Sequence, residues 1–207
     1  MIDEKTIKEF KEFIKLHPRA YPIKYYCDWT EEAKQYITIK MGELISFFKE
    51  KKNLILYPIY GTLLAIIRDG EYIPWDWEID LAYLSKYSEI KDVLKEFIDL
   101  TIFFQNNKML TKILVPGQMH ITAPNDGTTF DIWTSFIQNN TLKIIPSVDS
   151  AKKEWIDSFK SISFRNTQIL VPSNSEALLD YIYVNWKTPL YKIGNRGAKI
   201  GKKPILC

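Results

Sequence analysis

Three acids spaced two apart, Asp76, Glu78 and Asp80, stand in the stretch Pro74-Trp75-Asp76-Trp77-Glu78-Ile79-Asp80-Leu81-Ala82-Tyr83-Leu84. Read as a strand with its period of two, the acids share one side while Trp77, Ile79 and Leu81 take the other. Carboxylates stacked in this way repel one another unless a cation lies among them. Hard cations take oxygen ligands, and Mg2+ usually binds through one or two carboxylates together with substrate phosphates, so the spacing suits metal-assisted attack on a phosphate ester. The plainer reading is a solvated strand edge with its acids in water, since such alternation is common on half-buried strands. Two features weigh against it. The neighbours Trp75, Trp77, Ile79 and Leu81 are too apolar for an ordinary exposed edge, and the acids directly follow a glycine turn and a short helix.

That turn begins where the apolar run Leu54 to Ile59, read as a buried strand, stops at Tyr60-Gly61-Thr62. Thr62 to Arg68 then has the apolar spacing of a short helix, with Thr62 available as its N-cap. A glycine at a strand-to-helix turn permits a tight backbone, and the helix N-terminus offers unpaired N–H groups to an anion such as a phosphate. Further on, Thr128 to Phe136 reads as a strand that buries Phe130, Ile132 and Trp133 and carries a single acid, Asp131.

Residues 61–84, GTLLAIIRDGEYIPWDWEIDLAYL, resemble the core motif of the LicD-type transferases, a group that includes bacterial phosphocholine transferases, fukutin and fukutin-related protein. The motif runs as Gly-[Gly/Ser/Thr]-Leu-Leu, an Arg, a short turn, and Ile-Pro-Trp-Asp-x-Asp-x-Asp. Gly61, Thr62, Leu63, Leu64, Arg68, Ile73, Pro74, Trp75, Asp76 and Asp80 match it, and Glu78 stands where Asp is usual. Phe130-Asp131-Ile132-Trp133 is similar to a later family motif. Val171-Pro172 and the run Leu179 to Pro189 resemble its closing one, with Val184 in place of the usual Gly and Asn185 in place of Asp.

The resemblance implies a nucleotidyltransferase-like fold of the α/β (α+β) type, a mixed sheet packed by helices. It also implies transfer of a phospho-alcohol, phosphocholine or a polyol phosphate, from a CDP-linked donor to a glycan or lipid-linked glycan hydroxyl, with release of CMP. Mg2+ or Mn2+ would lie at Glu78, Asp80 and Asp131, the last being the third acid that the family carries on a later strand. Asp76 would serve as base or as a further ligand, and Tyr60, Gly61, Thr62 and Arg68 would take the donor's phosphates. Two other readings stay open: a nucleotidyltransferase that transfers NMP and releases pyrophosphate, and a catalytically silent binding domain, to which Glu78 is the only pointer.

A chain of 207 residues fits one domain. The boundaries expected are an N-terminal helical segment at 1–52, a catalytic core at 53–193 and a basic tail at 194–207. With 28 basic and 25 acidic residues, the net charge of +3 demands no nucleic-acid partner. Cys27 and Cys207 cannot make a disulfide framework, and with only His17 and His120 beside them no structural zinc site is expected. No apolar run approaches the length of a membrane span, and Met1 to Lys5 lacks a signal-peptide core, which together read as a cytoplasmic chain. The Gly- and Lys-rich tail reads as solvated, and leaves a peripheral membrane contact open.

The positioning elements follow from periodicity. Ile7, Phe10, Phe13 and Ile14 predict a helix over residues 3–15, stopped by the stretch His17 to Pro22, where His17 reads as a linker residue. A second helix starts after Thr30 and runs through Ile37, Met41, Leu44, Ile45 and Phe48. Another, from Ser88 to Leu100, would face Ile90, Val93, Leu94, Phe97 and Ile98 to the core. Strands are expected at Ile102 to Gln105, Leu110 to Val115 and His120 to Thr122, and hairpins turn at Asn139-Asn140 and Arg165-Asn166. A capping box, Ser173 to Glu176, should start a last helix reaching Val184.

Overall fold

The computed structural model describes residues 25–123, 127–146 and 150–188. The helix expected over 3–15, the His17 linker and the 194–207 tail lie outside the described residues. Helix α1 (Glu31–Lys52) begins at Thr30, whose Oγ1 accepts the Ala33 N–H at 3.2 Å, with Glu31 and Glu32 in its first turn and three lysines in its last. Both charge placements suit the helix dipole. Asn53, at φ 50°, ends the helix in the left-handed region and turns the chain into β1 (Ile55–Pro58). The stripe Ile37, Met41, Leu44, Ile45 and Phe48 is buried as its spacing requires.

After β1 come the short helix α2 (Tyr60–Leu64), a π-helical turn over Ala65–Asp69, and β2 (Asp80–Leu84). Helix α3 (Ile90–Asn106) leads to β3 (Leu110–Val115), β4 (Gln118–Thr122), β5 (Thr129–Gln138), β6 (Thr141–Ile145) and β7 (Ser150–Lys152). These strands form one seven-stranded sheet in the order β1-β2-β5-β4-β3, with β6 on the far half of β5 and β7 beside β6. Its pairing is antiparallel except between β2 and β5, so the fold is mixed α/β. The hairpin of β8 (Phe159–Phe164) and β9 (Thr167–Pro172) packs beside α1 and β1, and α4 (Ser175–Ile182) follows it. Both hairpin turns are as expected: Asn139-Asn140 and Arg165-Asn166 each hold two residues at positive φ, the twist that matches a tight hairpin.

Several local expectations yield to packing. Ile102 to Gln105 is the last turn of α3 and not a strand, because the buried series Val93, Phe97, Leu100, Thr101, Phe104 keeps helical spacing through it. The same series turns Ile90 and Ile98 outward, at 43% and 52% exposure, so neither faces the core. The capping box at Ser173 does not form. The Ser173 N–H goes to the Ser158 carbonyl, Asn174 is the residue before the helix, and α4 ends at Ile182, short of Val184.

Phe48 joins the layers, with ring centroids 5.2 Å from Phe104 on α3 and 6.2 Å from Tyr83 on β2. Arg165, in the hairpin turn, pairs with both Glu31 and Glu71 and so ties α1 to the loop before β2. No helix among the described residues is long and apolar enough to cross a membrane. Phe48→Ala should cost about 3–5 kcal/mol in urea unfolding, whereas Ile98→Ala should stay within about 0.5 kcal/mol. Comparable losses in the two variants would put Ile98 back in the core.

Candidate active site

Asp80 is the first residue of β2, and the parallel register sets it directly beside Asp131 on β5. In-register neighbours on adjacent strands lie about 4.8 Å apart and point to the same face. Both carboxylates are buried, at 6% and 5% exposure. Asp80 Oδ1 accepts a hydrogen bond from Trp133 Nε1 at 3.1 Å, and Asp131 Oδ2 accepts one from Gln118 Nε2 at 2.7 Å. His120 Nε2, on β4, stands 4.0 Å from Asp131 Oδ1. The Trp133 ring also meets Tyr60 edge-on at 4.9 Å.

Thr62 is not the N-cap of its helix. Tyr60, at φ 48°, turns the chain straight off β1, so α2 starts two residues early, after Ile59. That strained residue sits beside the acids, a common place for backbone strain. Thr62 falls on the inner side of the helix, and its Oγ1 accepts the Asp80 N–H at 2.9 Å, pinning the start of β2.

Asp76 and Glu78 are brought in by a loop and not by a strand pleat. β2 begins only at Asp80 because its partner β1 ends at Pro58, paired with Leu81, and the chain then leaves for α2. Upstream, the loop is held from the N-terminal side: the Tyr26 N–H donates to the Asp76 carbonyl at 2.8 Å and the Cys27 N–H to the Pro74 carbonyl at 2.9 Å. Tyr26 also stacks on Tyr72, centroids 4.4 Å apart. The loop thereby lays the Asp76 carboxylate on Gly61, where a Cβ would stand 2.4 Å from Asp76 Oδ2. Gly61 is needed for this close approach.

The electrostatics show one cluster. Burial pushes the Asp76 carboxyl up to about 6, with Glu78's charge adding to the rise and the Trp77 and Glu78 N–H groups opposing it. Asp80 is raised well above the carboxylate range, first by burial and then by the charges of Glu78, Asp131 and Asp76. Positive charge brought to such a site, as a proton or a cation, lowers the repulsion among its acids. Among the described residues no three Asp, Glu, His or Cys side chains are gathered closely enough to hold a metal ion by themselves. The paired Asp80 and Asp131 instead fit a hard divalent ion that takes two carboxylates and completes its shell with water and substrate oxygens.

Arg68, expected on the phosphate side, is bonded to protein groups in this structure. Its guanidinium grips Asp69 with two 2.7 Å bonds and donates to the Trp186 carbonyl at 3.2 Å, which fastens the segment after α4 to the π-helical turn. That segment contributes Tyr183. Burial raises its phenol's pKa, the charges of Asp80 and Asp76 raise it further, and Arg68 partly offsets them. The sequence pattern singles out neither Tyr183 nor Gln118 and His120. The alternation Gln118-Met119-His120-Ile121-Thr122 marks a polar strand face, but only the register turns that face toward Asp131.

Residues 56–174, more than half of the chain, match the family described as LicD/FKTN/FKRP, nucleotidyltransferase domain. The match spans Gly61, the four acids, Gln118 and His120, and leaves Tyr26, Cys27 and Tyr183 outside it. No curated protein matches the chain.

Gly61→Ala should displace Asp76 and lower turnover as far as Asp76→Asn does, with the fold retained by circular dichroism. Full activity in Gly61→Ala would break the link between them. In metal-free protein, the raised Asp76 group takes up a proton on folding between its unfolded value near 4 and its folded value of about 6. Stability should therefore rise as pH falls from 7 to 4, and the rise should shrink in Asp76→Asn, as read by urea unfolding at each pH.

Proposed function

The chain belongs to the LicD family, and from that premise we propose that it is a metal-dependent transferase moving a phospho-alcohol, phosphocholine or a polyol phosphate, from a CDP-linked donor to a hydroxyl of a glycan or lipid-linked glycan, with release of CMP. A cytoplasmic setting belongs to the same proposal. The observation that carries it is the buried in-register pair Asp80 and Asp131, with the charges of Glu78 and Asp76 acting on Asp80.

In this reading Asp80 and Asp131 would hold Mg2+ or Mn2+, with Glu78, whose charge acts on Asp80, joining them once substrate is bound, and the ion would supply positive charge for the donor's phosphates and the departing CMP. Trp133 and Gln118 fix the two paired carboxylates through their 3.1 and 2.7 Å hydrogen bonds. Tyr60 and Gly61 border the phosphate side. Thr62 supports the site through the Asp80 backbone, and Arg68 through the segment that carries Tyr183. Asp76 is the base. With its pKa at about 6 it is ionised near neutrality yet basic enough to accept a proton. It takes the proton of the acceptor hydroxyl as that oxygen bonds to the phosphorus of the phospho-alcohol, and the bond from that phosphorus to CMP breaks with its electron pair leaving on CMP.

Incubation with a panel of CDP-alcohols and Mn2+ or Mg2+ should release CMP, and excess EDTA should abolish it. Turnover undiminished by EDTA sinks the metal assignment. Pyrophosphate release from a nucleoside triphosphate, in place of CMP, would move the chain to NMP transfer. The acids separate by their variants: Asp80→Asn should lose Mn2+ binding together with activity. Asp76→Asn should cut turnover by roughly a hundred- to ten-thousandfold at near-normal Mn2+ affinity. Equal loss of Mn2+ in both makes Asp76 a ligand.

A further inference from the structure

The line of side chains that starts at Asp80 does not stop at Asp131. The antiparallel register sets His120 of β4 beside Asp131, and Lys112 of β3 beside His120. Four residues, Asp80, Asp131, His120 and Lys112, therefore cross the sheet in one row on one face, with about 4.8 Å between strands. Side-chain positions agree with the register, since His120 Nε2 approaches Asp131 Oδ1 at 4.0 Å and the charge of Lys112 acts on His120. β3 is the end strand of its side of the sheet, and Lys112 on it is exposed. Among the described residues its ammonium has no ion-pair or hydrogen-bond partner.

A diphosphate brought against two buried carboxylates needs positive charge beyond that of one divalent ion. Arg68 is engaged with Asp69 and the Trp186 carbonyl. Lys112 is placed differently. Its Cα lies about 10 Å, two strand spacings, from that of Asp131, and a flexible four-carbon stem lets its ammonium move over His120 toward the acids as a mobile point charge. Building on the CDP-linked donor reading, we propose that Lys112 binds the donor's diphosphate at the phosphate farther from the nucleoside. His120 fills the row between this cation and the metal-side acids. The site then runs from Asp76 across the sheet to the β3 edge, and the transferred phosphoryl group sits between a carboxylate end and an ammonium end.

The test compares CDP with CMP, which differ by that outer phosphate, in calorimetric titrations with Mn2+ present. Lys112→Ala should weaken CDP about tenfold, the scale of one charge-assisted hydrogen bond at a solvated site, while CMP shifts less than twofold. Lys112→Arg should restore most of the CDP affinity, and Lys108→Ala, an exposed lysine off the row, should change neither ligand. An unchanged CDP-to-CMP affinity ratio in Lys112→Ala overturns the proposal and leaves the donor reading standing. So does a Lys112→Ala protein in which only the acceptor's KM rises. If the unaltered protein binds neither nucleotide, the cytidine-donor reading itself fails and the assignment of Lys112 goes with it.

Discussion

Two carboxylates, Asp80 and Asp131, are buried side by side on the one parallel strand pair among the described residues, and the site is built around holding them there. At about 5 Å and an effective dielectric near 20, such charges repel by about 3 kcal/mol, before the cost of removing them from water. The surrounding fold has to hold the pair in spite of that. Leu81 and Ile132, the next residues on the two strands, are completely buried and paired with each other, so the strands cannot part to relieve the repulsion without opening the core. Relief must come from protons, from hydrogen bonds such as that of Trp133, or from a cation. A site of this kind is poised for ligands that bring positive charge.

The loop from Ile73 to Ile79 is the second half of the device, and its anchors are spread along the chain. The Tyr26 and Cys27 N–H groups hold its backbone, Tyr72 stacks on Tyr26 and meets Phe164 edge-on, and Arg165 reaches Glu71 from the β8–β9 turn. The N-terminal segment that bonds this loop lies outside the matched family span, yet it bonds the backbone of Asp76 itself. Packing and chemistry are thus linked through two backbone hydrogen bonds and one missing Cβ at Gly61. At its far end the loop is joined to β5, where the Asp131 N–H donates to the Ile79 carbonyl at 2.9 Å.

Much of the fold was legible in the sequence where one local rule dominates. The buried stripe of α1 follows the 3.6-residue period with a threonine cap at its start, and the two hairpins turn on residue pairs that accept positive φ. Asp76, Glu78, Asp80 and Asp131 were legible as candidates because acids embedded among tryptophans and isoleucines are costly without a purpose. Misread elements share a cause. Ile102-Phe103-Phe104 has strand-like residues but continues a helical face that only the packing of Phe104 reveals, and Ser173 has a capping sequence while its N–H is already bonded to Ser158.

Residue type and spacing, then, determined that this chain carries a cluster of acids after a glycine turn, and which family it resembles. Local rules carry that information because they act within a few residues. Tertiary structure decided the rest. Strand register put Asp131 beside Asp80 and carried the row on to His120 and Lys112, and the end of β1 at Pro58 converted an expected strand into a loop that folds Asp76 onto Gly61. Register and loop path depend on partners far away in the chain, 51 residues from Asp80 in the case of Asp131, and no period within a single segment encodes them.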